Sequence, residues 1–79
     1  MFFVSIIALD KKIFEGDVEF ITVPGKEGEL TILKNHIPLI TPLKNGVIKV
    51  KTKEDEIKFG INGGILEVKP EKVVVITKA

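Results

Sequence analysis

Short apolar segments, separated by residues that favour turns, run along the whole chain. In residues 2–9 both sets of alternating positions are mostly apolar, which is typical of a strand that is covered on both faces. Ile57, Phe59 and Ile61 alternate with Lys58 and Gly60, which predicts a strand with one wet face. On the same grounds we predict strands at residues 13–14, 18–23, 29–33, 47–52, 65–68 and 73–77.

Turn-forming residues divide these segments. Pro24-Gly25 and Pro70-Glu71 predict turns at strand ends, Asn45-Gly46 is typical of a hairpin turn, and Asn62-Gly63-Gly64 predicts another turn. Further breaks are predicted at residues 10–12, 15–17, 34–35 and 53–55. No segment between them is long enough for a stable helix. The pattern predicts an all-β protein of eight to ten short strands, in two packed antiparallel sheets or a flattened barrel.

The apolar segment of residues 37–43 contains two prolines, Pro38 and Pro42. Each proline removes a backbone donor, so this segment cannot be a central strand, and we expect a short edge strand or an irregular loop. It must fold over the core or stay partly exposed. An exposed apolar segment of this size is typical of a protein contact, and at this point core cover and contact both stay open.

Composition agrees with the strand prediction and excludes several kinds of site. Twelve Ile, nine Val and five Thr stand against two Ala, which is a β-protein composition. The chain has no Cys, which excludes disulfides, thiolate metal sites and a thiol nucleophile, and its single His excludes a His-based metal cluster. All twelve basic residues are Lys, and the net charge is +1. Without Arg, Trp or Tyr, the chain lacks the groups that proteins favour for reading nucleic acids.

The length of 79 residues allows one domain with little interior for a deep active-site cavity. Residues 2–9 lack the basic start and the cleavage site of a signal peptide. No apolar run approaches the ~18 residues needed to span a bilayer. We therefore expect a soluble domain that meets a membrane only through partners.

Two acidic residues and the histidine are the candidates for chemistry. Glu27 and Glu29 form a carboxylate pair, but acid/base catalysis needs a cleft that raises one carboxyl pKa, and these residues flank a glycine turn that water should reach. The sequence around Gly25 and Gly28 lacks the Gly-Lys-Ser/Thr ending of a phosphate-binding loop. For His36, metal binding and a role beside a nucleophilic serine are disfavoured. A partner contact and a local hydrogen bond stay open.

A cluster of lysines in the second half of the chain is a candidate basic face for binding nucleic acid. Residues 54–56 are acidic and interrupt the cluster, and no aromatic residue interleaves, so a solvated face is favoured. Lysines on strands also protect sheet edges from pairing with other chains. The lysines concerned are Lys44, Lys49, Lys51, Lys53 and Lys58.

Five short blocks stand in a fixed order: residues 13–16 (IFEG), 27–33 (EGELTIL), 36–41 (HIPLIT), 45–48 (NGVI) and 63–68 (GGILEV). In this order and spacing they resemble the N-terminal domain of the epsilon subunit of F-type ATP synthases, which corresponds to the mitochondrial delta subunit. The resemblance covers residues 2–77. It implies a ten-stranded antiparallel β-sandwich of two packed sheets, with residues 1–79 as one such domain.

The resemblance also implies a function. Such a domain belongs to the central stalk of the rotor, binds the gamma subunit, and rests on the polar loops of the membrane-embedded c-ring, so that proton flow is coupled to ATP synthesis. It performs no chemistry itself and needs no cofactor or metal. Matched by position, Glu29 and His36 are expected to contact the c-ring. The expected gamma contacts are Ile37, Pro38, Leu39, Ile40 and Thr41.

Members of this family usually continue into a C-terminal helical hairpin that can restrain ATP hydrolysis or, in some bacteria, bind ATP. The sequence ends at Ala79, so we expect the hairpin to be absent and carry over neither property. The lack of an Arg-rich leader favours a peripheral location on the cytoplasmic face of a bacterial membrane, with the plastid thylakoid as the alternative. A small β-sandwich module that binds protein or nucleic acid is the alternative function.

Overall fold

The computed structural model describes residues 1–9 and 11–78, and all regular structure within them is β-strand. Ile, Val and Thr pack well on a pleated surface, which explains why this composition forms strands. The all-β prediction is confirmed. The strands are β1 Phe2–Ala8, β2 Lys11–Val18, β3 Phe20–Gly25, β4 Gly28–Ile32, β5 Leu39–Lys51, β6 Glu56–Val68 and β7 Lys72–Thr77.

These seven strands form one hydrogen-bonded sheet in the order β2-β1-β7-β6-β5-β3-β4. The neighbours are antiparallel, with the exception of β1 and β7, which run parallel. The sequence analysis predicted antiparallel pairs only, because no local turn signal links the first and the last strand. The parallel pair holds β1 and β7 inside the sheet rather than at its edges.

The sheet curves around one hydrophobic core. Val18 on β2 and Ile32 on β4 belong to the two outermost strands, yet both lie in the same core cluster. A flat sheet of seven strands would measure about 29 Å between its outer strand axes. The molecule measures only 26 × 23 × 21 Å along its principal axes. The sheet is therefore folded over on itself.

Strands β5 and β6 bend in their middle, where their inward-facing side reverses. In β5, Leu43 is buried before the bend, and Ile48 and Val50 are buried after it. In β6, Ile61 is buried before the bend and Leu66 after it. Inward positions of a regular strand are an even number of residues apart, so the odd steps require a reversal. Each long strand thus supplies one half to either side of the core.

Glycines permit these bends. Gly63 and Gly64 of β6 have φ angles of +77° and +149°, which residues with a Cβ rarely adopt. A Cβ at Gly64 would overlap the carbonyl oxygen of Ile76 on β7, and a Cβ at Gly46 of β5 would lie 2.9 Å from the side chain of Pro24. Close backbone approach and unusual φ angles therefore explain why glycine stands at these positions.

Three predicted turns are wrong, because a strand continues through each of them. Asn45-Gly46 and Asn62-Gly63-Gly64 lie inside β5 and β6, because strand pairing continues on both sides of them. Glu15-Gly16-Asp17 lies inside β2, where each residue pairs with β1. Segments that were predicted as separate strands are thus continuous. Over the described residues the protein has seven strands in one sheet, so the expected ten strands in two sheets are not confirmed.

Residues 39–43 of the proline-containing segment form the start of β5. The sequence analysis excluded a central strand for this segment. β5 lies between β6 and β3 in the sheet. Its pairing with β3 reaches only to Leu43, opposite Gly25, so among the described strands residues 39–42 pair with β6 alone. Pro42 therefore occupies a local edge, where a missing donor is tolerated. The edge prediction is correct for this part and wrong for the strand as a whole.

Other predicted turns fall close to their observed places. The backbone amide of Thr52 donates to Asp55, and that of Lys69 donates to Lys72, each at 2.8 Å, which confirms the turns at residues 53–55 and 70–71. The turn predicted at Pro24-Gly25 lies two residues later, at residues 26–27, because β3 continues to Gly25. Of the turn predicted at residues 10–12, Asp10 lies outside the described residues, and the other two residues begin β2.

Candidate functional site

The connection between β4 and β5, residues 33–38, contains His36 and the start of the predicted gamma contact. Asn35 adopts a left-handed φ of +68°, which asparagine tolerates better than most residues. The backbone amide of His36 donates to the carbonyl oxygen of Leu33 at 3.2 Å and closes a turn. This turn carries the chain past the end of the core and leaves Ile37 76% exposed.

His36 is half-buried at this turn. Its Nδ1 lies 2.9 Å from the carbonyl oxygen of Ile37. A carbonyl oxygen only accepts, so Nδ1 is the donor, and Nε2 of the neutral ring is left as an acceptor. The cavity beside the ring, which Phe2 and Val73 also line, measures about 40 Å³ and has room for no more than a few water molecules. Of the two interpretations left open for His36, the local hydrogen bond is present, and Nε2 is still available for a partner contact.

Only part of the predicted gamma segment projects into solvent. Ile37 and Ile40 are 76% and 69% exposed, and Pro38 is exposed as well. Leu39 and Thr41 are half-buried, and Leu39 packs against the core. The structure thus divides the segment into outward residues that a partner could reach and inward residues that hold the strand in place.

Glu29 is exposed on β4, opposite Pro24 of β3. β4 is the last strand in the sheet order, and the connection after it brings His36 to a cavity that residues 68–73 also line. From Glu29 to Ile32 the strand rises about 10 Å, and the connection begins only after Ile32. In the described part of the chain, neither a hydrogen bond nor an ion pair joins Glu29 to His36. The contact with the c-ring that is expected of both residues therefore stays a prediction.

Charged groups are mostly solvated. Among the described residues the ion pairs are Lys12 with Glu15 at 2.8 Å, and Lys51 with Glu19 at 3.8 Å. Over the same residues no three His, Cys, Asp or Glu side chains are grouped so that they could hold a metal ion. Within residues 1–9 and 11–78 no helix has the length and apolar character needed to cross a bilayer.

The sequence analysis missed two exposed isoleucines outside the predicted contact segment. Ile65 on β6 and Ile76 on β7 are 50% and 57% exposed, and they pair across the two strands. A signal was present in the sequence, because residues 73–76 are apolar without alternation, as are most of residues 2–9. A strand in a sheet with one solvated face would alternate.

Comparison with known proteins gives a consistent result. Residues 1–79 match the family described as the beta-sandwich domain of the ATP synthase delta/epsilon chain. The chain is 38% identical over 76 residues to the ATP synthase epsilon chain of Alkalihalophilus pseudofirmus, covering 96% of this chain and 57% of that protein. It is 43% identical over 76 residues to the epsilon chain of Janthinobacterium sp. (strain Marseille), covering 92% of this chain and 54% of that protein. The chain thus spans about half the length of the curated relatives it matches.

Solved structures agree in fold. A chain in the cryo-EM structure of the Euglena gracilis mitochondrial ATP synthase, OSCP/F1/c-ring, superposes with a TM-score of 0.92 at 23% identity, covering 99% of this chain and 51% of that one. A chain of the Tetrahymena thermophila mitochondrial ATP synthase central stalk and c-ring gives a TM-score of 0.85 at 19% identity, covering 99% and 63%. At these identities the likeness concerns the fold alone.

Proposed function

The chain belongs to the family of ATP synthase delta/epsilon chains through their beta-sandwich domain, and on this premise we propose that it works in the central stalk of an F-type ATP synthase. There it joins the gamma subunit to the c-ring, so that rotation of the ring by proton flow supports ATP synthesis. The observation that carries the proposal is the match over residues 1–79, together with 38% and 43% identity to epsilon chains. The proposal concerns the sandwich domain, since the relatives are almost twice as long.

The proposed role is mechanical and not catalytic. Glu29 is exposed on a strand, and Glu27 is exposed in the turn that precedes it, so water reaches both carboxylates. The cavity next to His36 measures about 40 Å³, which is too small for a substrate. These positions favour contacts with partners over acid/base chemistry.

The bent sheet supports a finer proposal about architecture. The first half of β5 and the second half of β6 continue the sheet of β7, β1 and β2, while their other halves continue the sheet of β3 and β4. We propose that these two parts form the packed layers of a sandwich, joined through the bends at Gly46 and Gly63-Gly64. Such a unit is stiff, because many ladder hydrogen bonds and a packed core must yield together. Stiffness is what transmission of torque requires.

Two contacts are proposed on this unit. Glu29, exposed on β4, and His36, half-buried in the β4–β5 connection, offer a carboxylate and an imidazole Nε2 to the polar loops of the c-ring. On the gamma side, exposed Ile37, Pro38 and Ile40 supply the apolar contact, with Leu39 and Thr41 holding them in position. The proposed location is peripheral, on the cytoplasmic face of a bacterial membrane and through the complex only, in keeping with the bacterial relatives.

The proposal is tested by sedimentation of detergent-solubilised c-ring with the gamma subunit, in the presence and absence of this chain. We expect gamma to sediment with the ring in larger amount when the chain is present. If the chain binds neither gamma nor the ring, the proposed function is wrong.

Two variants with matched controls test the assigned contacts. Glu29→Lys should weaken binding to the ring, whereas Asp17→Lys, an equal charge change on the opposite edge strand β2, should not. Ile37→Asp should weaken binding to gamma, whereas Val47→Asp should not, because Val47 is exposed beyond the bend of β5 and outside the proposed contact segment. Unchanged binding by folded Glu29→Lys and Ile37→Asp would exclude these residues as contacts and leave the function itself standing.

A further inference from the structure

The end of β7 is bonded to both sides of the bend in β6. The ladder between the two strands reaches only to Gly64, opposite Thr77, and therefore belongs to the second half of β6. Two hydrogen bonds extend it across the bend. The hydroxyl of Thr77 donates to the carbonyl oxygen of Gly63 at 2.5 Å. The backbone amide of Asn62, in the first half of β6, donates to the carbonyl oxygen of Lys78 at 3.1 Å.

The hydroxyl of Thr77 is held in place for its bond. Thr77 is 4% exposed, and it also pairs with Ala8 of β1, so the end of β7 is fixed between two neighbouring strands. Its Oγ1 lies 3.0 Å from the carbonyl oxygen of Lys78 as well. A hydroxyl has only one hydrogen to donate, and the carbonyl oxygen of Gly63 is the nearer acceptor. A valine at this position would keep the shape of the side chain and lose the bond.

The bend of β6 consists of two adjacent glycines, the residue type with the widest backbone freedom. Without a Cβ to confine them, Gly63 and Gly64 can absorb a large change in the direction of the strand. The bend of β5 is braced by packing, because Pro24 of β3 lies against Gly46. The bend of β6 is braced by the hydrogen bonds from the end of β7.

We propose that the bend of β6 is a hinge between the two halves of the folded sheet, and that the end of β7 holds this hinge closed. The Thr77–Gly63 and Asn62–Lys78 hydrogen bonds are here termed the β7 clamp. The clamp is tied to the second half of β6 by the ladder and to the first half by Asn62, so the hinge is fixed while both bonds are made. The hinge is a property of this chain alone and does not rest on the function proposed above.

The strength of the clamp sets how the hinge behaves. A single hydrogen bond contributes little net free energy in water, because the open state is hydrogen-bonded to solvent. The two bonds of the clamp can therefore break together while the core stays packed, as a local opening of the native state. The structure thus predicts an opening at the bend that is more frequent than unfolding of the whole domain.

The first test is native-state hydrogen exchange of the wild-type chain, followed by NMR at increasing urea concentration. We expect the amide of Asn62 to exchange faster than the slowest core amides and with little dependence on urea, because a local opening exposes little surface. If this amide exchanges with the same urea dependence as the core amides, the bend opens only when the domain unfolds, and the inference is wrong. This test needs no substitution.

Thr77→Val tests the clamp directly, with Thr22→Val as the matched control. Both threonines are buried, and each substitution removes one hydroxyl hydrogen bond, which for Thr22 is the bond with Thr31 at 3.1 Å. Thr77→Val should speed exchange at the amide of Asn62 by about fivefold or more, as expected for one lost hydrogen bond, and Thr22→Val by less than about twofold. Thr77→Ser keeps the hydroxyl and should exchange as wild type does. Circular dichroism is recorded on every variant.

Backbone motion at the bend gives a second readout, which a loss of global stability does not change. The NMR order parameters of the Gly63 and Gly64 amides should be about 0.85 in wild type, as in a rigid backbone, and should fall toward ~0.6 in Thr77→Val. In Thr22→Val they should stay at the wild-type value.

The outcomes for the two variants are distinct. Faster exchange and lower order parameters at the bend of folded Thr77→Val, without these changes in Thr22→Val, support the hinge. Equal exchange and equal order parameters at the bend in both variants contradict it. The measurements use the isolated chain, so a failure of this inference leaves the proposed function standing, and a failure to bind gamma or the c-ring leaves the hinge standing.

Discussion

Gly64 is expected to be among the least replaceable residues of the chain, and Gly28 gives a matched comparison. Both have positive φ angles, +149° and +139°. A Cβ at Gly28 would meet nothing within 4 Å, whereas a Cβ at Gly64 would overlap the carbonyl oxygen of Ile76 and lie 3.0 Å from Cα of Thr77. Gly28→Ala therefore costs only the backbone strain, about 1–3 kcal/mol. Gly64→Ala adds a steric cost of about 1–3 kcal/mol, because β7 must move away from β6.

The assay is equilibrium unfolding in urea, followed by circular dichroism. We expect the free energy of unfolding to fall more for Gly64→Ala than for Gly28→Ala, by about 1–3 kcal/mol, with similar slopes in urea for both variants. For a domain whose total stability is about 5–15 kcal/mol, this is a large difference. An equal or smaller loss for Gly64→Ala would refute the claim that close approach to β7 fixes glycine at the bend of β6.

Three further changes test the core, a hydrogen bond and an ion pair, each measured by the same unfolding assay. Leu66→Ala empties a fully buried position and should cost about 2–5 kcal/mol; a loss below ~1 kcal/mol would mean that the core is not packed as described. Thr77→Val removes the hydroxyl that donates to the carbonyl oxygen of Gly63 and should cost about 1 kcal/mol, whereas a gain in stability would contradict that bond. Glu15→Gln breaks an exposed ion pair with Lys12 and should cost less than ~0.5 kcal/mol, and a larger loss would show that the pair is stronger than its exposure allows.

The strand content could be predicted from sequence because it depends on local properties. The alternation of Ile57, Phe59 and Ile61 with polar residues corresponds to a strand with the expected burial. The two-sided apolar pattern of β1 also corresponds to a strand, but Phe3 and Ile7 on its second face are only half-buried. The number of strands could not be predicted in the same way. Asn45-Gly46 has the sequence of a hairpin turn, but the approach of Pro24 and the pairing with β6 continue the strand through it. Tertiary contacts of this kind override the local turn preference.

The candidate site could be predicted from the sequence only in part. For the apolar segment that contains prolines, core cover and exposure both stayed open, and the structure shows some of each, with Ile37 and Ile40 exposed and Leu39 packed against the core. The position of His36 beside residues 68–73 depends on tertiary packing, which its spacing from Glu29 in the sequence does not reveal. The exposed pair of Ile65 and Ile76 depends on the register between β6 and β7, and register is a non-local property of the sheet.

The central claim is that this chain couples the gamma subunit to the c-ring. Its most direct test is ATP synthesis driven by an imposed proton gradient, in proteoliposomes that contain the remaining subunits of the same ATP synthase. We expect little synthesis without an epsilon-type subunit and a clear gain when this chain is added, with a smaller gain for the folded variant Ile37→Asp. Equal rates of synthesis with and without the chain would contradict the claim.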